Sequence, residues 1–120
     1  MLQSRAVLDH LHQQQLTRRL QHFSARLDEL IPRLRPYSAQ DLPSELIDEL
    51  AALAGELMLA LIDHRGAFRN DGITGGAVAD ARLLREGLRS ERLPSSQVAE
   101  AATALRREVD EIIRGDKRAA

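Results

Sequence analysis

The sequence predicts an all-α fold: an antiparallel four-helix bundle with a long first helix and a Gly-rich loop between its second and third helices. Apolar residues recur at helical spacing in four segments, and no segment alternates apolar and polar residues as a half-buried strand does. The 120 residues include two Phe, one Tyr and no Trp, so the core must consist of aliphatic residues and Ala, which favours helices. Cysteine is absent, which excludes disulfide bonds and thiolate chemistry.

The central helix is predicted between Pro43 and His64, in the longest apolar segment of the chain. Its apolar residues cover about half of the helix circumference, so at least two other helices must pack against it. The leucines expected on its buried face are Leu46, Leu50, Leu53, Leu57 and Leu61. The opposite side is acidic and carries no Lys or Arg, and Leu59 lies there. We expect a partner that covers this acidic side to bury Leu59.

The first helix is predicted over residues 2–31 and has two unequal parts. Its heptad face comprises Leu16, Leu20, Phe23, Leu27 and Leu30. Before the glutamines at positions 13–15, Val7, Leu8 and Leu11 lie on nearly the opposite side of the helix. A straight helix cannot bury both sets in one core. Residues 1–15 therefore form a protruding, partner-binding arm, or a bend at the glutamines returns them to their own bundle.

Two prolines, Pro32 and Pro36, are expected to end the first helix, because the residue before a proline is driven out of the α region. The polar linker that follows is expected to leave Leu34 and Tyr37 on the bundle surface.

Glycine and proline divide the second half of the chain. Four glycines within residues 66–76 predict a mobile loop or tight turns, followed by a third helix over residues 77–90. Pro94 separates this helix from a fourth one, which Ser95 or Ser96 caps. Residues 115–120 are expected to form a flexible polar tail. The whole chain, 1–120, is predicted to be one domain, since its length suits a single core.

Charge is unevenly distributed although the net charge is only −1. Residues 41–64 contain six acidic residues and no basic one, whereas basic residues predominate in 1–40 and 65–94. All but one of the 17 basic residues are Arg, which indicates a GC-rich and therefore bacterial genome. No apolar run is long enough to span a membrane, and the N-terminus lacks the apolar core of a signal peptide. The predicted location is the cytoplasm.

The sequence contains no recognised combination of catalytic residues. Asp9 and His12 have a one-turn spacing, but the matching ligands of a carboxylate-bundle metal site are missing. Glu49, Glu56 and Asp63 recur every seven residues on a side expected to be convex, without a pocket to shift their pKa values. The sequence therefore predicts no enzyme, no metal, no cofactor and no small-molecule substrate.

Two groups of residues are candidates for contacts with a partner. Arg82, Arg85 and Arg89 form a stripe along the third helix, which Arg92 extends if the helix continues. This arginine stripe is solvated, pairs with carboxylates of the second helix or of a second copy, or follows a phosphate backbone. Phe68, between two arginines, is an interface anchor or a plug at the end of the bundle.

The function predicted from these features is that of a non-enzymatic protein–protein interaction module, a small subunit, adaptor or regulator of a larger bacterial assembly. Its partner is another protein or a second copy of the chain. The predicted partner-binding residues are Val7, Leu8, Leu11, Leu59 and Phe68. The alternative is a small helical subunit that binds nucleic-acid phosphates through the arginine stripe.

Overall fold

The computed structural model describes residues 2–37, 40–63, 71–90 and 92–119, without the side chains of residues 2–10, 12, 13, 71 and 116–119. Helix α1 spans Leu2–Leu34 and continues into a short 3-10 turn at Arg35–Tyr37; α2 spans Ser44–Asp63, α3 spans Asp71–Arg89 and α4 spans Ser95–Ala119. These ranges contain no strand, and the four helices pack against one another. The predicted all-α four-helix bundle is confirmed. No helix in these ranges combines the length and the apolar character needed to cross a membrane.

Helices that are consecutive in the chain are neighbours, and α4 returns to pack on α1. The α1–α4 pair is antiparallel: Ser24 donates a hydrogen bond of 2.7 Å to Asp110, and Asp28, one turn later on α1, contacts Arg106, one turn earlier on α4. The packing is uneven, because α2 packs mainly on α3 and α1 mainly on α4, whereas α1 and α2 have the least extensive contact of any adjacent pair. The bundle therefore has one weakly packed seam, between α1 and α2.

The core consists mainly of leucine and alanine from all four helices. The heptad face of α1 is buried throughout, as predicted. On α2, the leucines predicted to be buried are buried: Leu46, Leu50, Leu53, Leu57 and Leu61. Helix α2 thus contributes buried residues to the core along its whole length.

Helix α1 runs past the position where the sequence predicts its end. Pro32 lies inside the helix, which ends at Leu34. A proline loses one helical hydrogen bond, but the extra turn buries Leu34, which is 1% exposed. The prediction that Leu34 lies on the surface is therefore wrong. Burial of this large side chain offsets the missing hydrogen bond.

The Gly-rich segment differs from the prediction more than any other. Helix α3 begins at Asp71, so Gly72, Gly75 and Gly76 lie inside a helix and not in a loop. Each glycine costs about 1 kcal/mol of helix propensity. The same turns bury Thr74 and Ala77 and pack Ile73 against the core, so tertiary packing decides the conformation. The rest of the predicted loop, including Phe68, lies outside the described residues.

Helix α4 also exceeds its predicted length. It continues through Gly115 to Ala119, so the backbone of the predicted tail is helical as far as residue 119. Gly115 lowers helix propensity without interrupting the hydrogen-bond pattern, and the two residues Ile112 and Ile113 anchor the preceding turn in the core.

Candidate interaction surfaces

A groove of about 580 Å³ opens between α1 and α2, at the weakly packed seam of the bundle. Its lining residues are Arg18, Arg19, His22 and Phe23 from α1 and Glu56, Leu59 and Asp63 from α2. We call this site the α1–α2 groove. It contains one of the predicted partner-binding residues, Leu59, together with residues that the sequence analysis did not select.

Ion pairs cross the opposite end of the same seam. Arg26 of α1 donates to Glu49 of α2 over 2.6 Å, and Arg33 approaches the other oxygen of the same carboxylate at 3.4 Å. The groove begins two helical turns further along α2, at Glu56. Glu49 thus joins the two helices where the chain passes from α1 to α2.

The groove has walls of opposite charge and an apolar base. Phe23 is buried and the Leu59 side chain beside it remains 57% exposed. The α1 wall is cationic, whereas Glu56 and Asp63 form an acidic α2 wall without any ion pair to the described residues. This arrangement suits a segment with an apolar strip and flanking charges. The expectation that the acidic side of α2 is convex is wrong at these two carboxylates.

The predicted N-terminal arm, residues 1–15, belongs to the same long helix from Leu2 onward. Helix α1 continues without interruption through the glutamines at positions 13–15, so its backbone does not break there. Leu11 is exposed, at 45%, whereas the first buried side chain is Leu16. The side chains of Val7 and Leu8 lie outside the described residues, and their role stays a prediction.

The arginine stripe divides into exposed and packed members. Arg82, Arg89 and Arg92 are exposed, whereas Arg85 lies across α2 at Gly55, where an added Cβ would come within 3.2 Å of its Nε atom. No carboxylate of the described residues lies within ion-pair distance of these four arginines. The alternative in which the stripe pairs with acids of α2 is therefore not seen among the described residues, where Glu49 pairs with arginines of α1.

A pair of carboxylates lies between α3 and α4, where the sequence analysis predicted nothing. Burial raises the pKa of Glu108 to about 8, and the nearby carboxylate of Asp80 adds to the rise. The Oε2 atom of Glu108 is buried without a hydrogen-bond partner. Because the two residues are far apart in the chain, only the α3–α4 packing brings them together. The described residues contain no group of three possible metal ligands, here or elsewhere.

Comparisons of the chain with models of protein families, with curated proteins and with solved structures found no match. The α1–α2 groove, the arm and the arginine stripe are therefore the features from which a function can be inferred.

Proposed function

We propose that this chain is a non-enzymatic protein–protein interaction module, a small subunit, adaptor or regulator of a larger bacterial assembly, which docks through the α1–α2 groove and the arm. The observation that carries the proposal is the exposed Leu59 side chain beside the buried Phe23, in a groove with walls of opposite charge. The bundle does not need Leu59 for its core, since the leucines on the other side of α2 already fill it.

The exposed area of the Leu59 side chain limits the binding free energy that this residue can contribute. At roughly 25 cal/mol per Å², covering the exposed part of a leucine stabilises a complex by about 1–2 kcal/mol. A stable complex buries about 1,200 Å² or more in total. Leu59 is therefore one anchor among several, and we propose Phe68 and the arm residues Val7, Leu8 and Leu11 as the others.

The charges of the groove set the orientation of the bound segment. A segment with a basic flank toward α2 and an acidic flank toward α1 matches both walls, and the reversed segment places like charges together. Such charges contribute more to specificity and association rate than to affinity. The affinity then comes from the apolar base.

A photo-crosslinking residue introduced at position 59, with position 83 as the matched control, tests the proposal. Leu83 is also an exposed leucine, at 65%, but it lies on α3 and outside the groove. We expect one defined cross-linked product in cells from position 59 and none from position 83. The cross-linked partner, identified by mass spectrometry and purified, should bind Leu59→Glu at least about tenfold more weakly than the unmodified chain and bind Leu83→Glu normally. Equal effects of the two substitutions, or no product from position 59, would contradict the proposal.

A second candidate function is binding of nucleic-acid phosphates through Arg82, Arg85, Arg89 and Arg92. The observation that favours it is the lack of carboxylate partners for these residues in the described part of the chain. Unpaired, clustered arginines bind phosphates by releasing counterions, which makes the affinity fall steeply with salt.

Polynucleotide binding measured between about 50 and 200 mM salt tests this candidate. Arg82→Gln with Arg89→Gln should weaken binding for all sequences and reduce the salt slope by about 1 per lost phosphate contact. Arg107→Gln, an exposed arginine of α4, is the control and should have less effect. A chain that binds no polynucleotide at low salt does not have this function.

A further inference from the structure

We propose that Gly55 of α2 is the positioning residue of the arginine stripe, because the space above its backbone holds the side chain of Arg85 and makes Arg85 the principal phosphate contact. We call this space the Gly55 notch. The inference rests on the second candidate function, the binding of nucleic-acid phosphates, and names the two residues on which that binding would depend most.

The Arg85 side chain crosses α2 at the Gly55 notch. A Cβ atom added to Gly55 would lie 3.3 Å from the Cδ atom of Arg85, 3.2 Å from its Nε atom and 3.9 Å from its Cζ atom. Three consecutive atoms of the side chain therefore lie against the bare backbone of Gly55. Glycine is unfavourable inside a helix, but any other residue at this position would place a Cβ atom where Arg85 now lies.

The notch distinguishes Arg85 from the rest of the arginine stripe. Its side chain is partly buried, whereas those of Arg82, Arg89 and Arg92 are exposed. An exposed arginine samples many rotamers and loses that freedom when it binds a ligand. Arg85 has already lost part of this freedom on folding. It therefore binds an anion at a lower entropic cost than the other three arginines do.

The guanidinium group of Arg85 is oriented without being neutralised. Arg26 and Arg106 are also oriented, but by carboxylates of other residues, Glu49 and Asp28. Arg85 has no carboxylate of the described residues within ion-pair distance, and its side chain donates no hydrogen bond to them. Its planar group of donors therefore suits the oxygens of a phosphate.

The position of Arg85 within the stripe favours a phosphate backbone over a single carboxylate. Arg82 lies three residues before it on α3 and Arg89 four residues after it. At 1.5 Å per residue, the three positions extend over about 10 Å of the helix. A nucleic-acid strand repeats its negative charge at intervals shorter than this. Arg82 and Arg89 can then contact phosphates on either side of the one that Arg85 binds.

Gly55→Ala tests the notch without changing any charge. We expect it to weaken polynucleotide binding about two- to tenfold at about 50 mM salt, because the added Cβ displaces Arg85 from its fixed orientation. Gly75→Ala is the matched control, since Gly75 is also helical and an added Cβ there meets nothing within 4 Å. It should bind normally. Alanine favours helices more than glycine does, so thermal unfolding of both variants should occur no earlier than that of the unmodified chain.

Single arginine substitutions rank the phosphate contacts. Arg85→Gln should weaken binding more than Arg82→Gln or Arg89→Gln, although Arg85 is the least exposed of the three. In the Gly55→Ala background this difference should become smaller, because the displaced Arg85 no longer has a fixed orientation. An Arg85→Gln effect no larger than the other two, or equal binding by Gly55→Ala and Gly75→Ala, would overturn the inference.

Nuclear magnetic resonance of the arginine Nε–H groups tests the notch in the absence of any ligand. The order parameter of the Arg85 group should exceed those of Arg82 and Arg89, and Gly55→Ala should lower it toward their values. An Arg85 group as mobile as the other two overturns the inference, even in a chain that binds polynucleotide. A chain with an ordered Arg85 group that binds no polynucleotide at low salt lacks the second candidate function, and the phosphate role of Arg85 is then excluded with it.

Discussion

Helix α1 meets its two neighbours in different ways. Along α4, the short polar residues Ser24 and Asp28 bond directly to Asp110 and Arg106, and the buried side chains of both helices interlock beneath them. Along α2, contact is sparse and a groove of about 580 Å³ remains. A four-helix core thus forms without equal packing at every seam, and the weakest seam leaves a groove open on the surface.

Different side chains lie at the two seams. The short polar residues Ser24 and Asp28 bond across the α4 seam. At the α2 seam, Arg26 and Arg33 reach across to Glu49, whereas Arg18 and His22 beside the groove have exposed side chains.

The sharpest test of this contrast compares two leucines of α2 that are two residues apart. Leu57 is completely buried and Leu59 is 57% exposed. Leu57→Ala should lower the free energy of unfolding by about 2–5 kcal/mol, because it leaves a cavity in the core. Leu59→Ala should lower it by less than about 0.5 kcal/mol. Urea unfolding measures both, and similar losses would show that the groove is part of the core.

A substitution with an intermediate effect on the free energy of unfolding is expected at the α3–α4 seam, where Glu108 faces Asp80. The folded-state pKa of Glu108 is about 8, above its ordinary 4.5. Between these values the folded protein binds a proton at Glu108 that the unfolded chain releases, so the contribution of Glu108 to stability is greatest below about pH 4.5 and is lost as the pH rises toward 8. Glu108→Gln should remove this slope and stabilise the protein at pH 9 by about 1–2 kcal/mol, a value reduced for partial exposure to solvent.

Unfolding of Glu108→Gln at acidic and alkaline pH measures that slope. Glu100→Gln, an exposed glutamate of the same helix, is the control and should keep the slope of the unmodified chain. If Glu108→Gln retains the pH dependence of stability, groups other than Glu108 cause that dependence.

The smallest effect on the free energy of unfolding is expected from removing the ion pairs that cross the α1–α2 seam. Glu49→Gln removes the pairs with Arg26 and Arg33, all of whose side chains are partly exposed. The expected loss of stability is about 0.5 kcal/mol and should decrease at high salt. Asp28→Asn, which removes the Arg106 contact at the α4 seam, is the matched comparison. A loss above about 2 kcal/mol in Glu49→Gln would mean that this ion pair holds α1 against α2.

The sequence predicted the fold class and the buried leucines of α2 because both depend on periodicity alone. It also placed Leu59 correctly among the acidic residues. It did not reveal the groove, because the groove depends on how far α1 and α2 stand apart. It also did not reveal that Glu108 lies near Asp80. These residues are on different helices, and their polar character alone does not indicate that they are close.

The sequence by itself determined which face of each helix is apolar, since helical spacing fixes that face before any packing occurs. The tertiary structure decided where the helices end. Pro32 and the glycines Gly72, Gly75 and Gly76 lie within helices, against their local preferences, because the turns that contain them bury side chains such as Leu34 and Ala77 in the common core. Local propensities amount to about 1 kcal/mol per glycine, and burial of large apolar side chains exceeds them. The tertiary structure also decided which polar residues meet, because the register between helices brings together residues that are far apart in the chain.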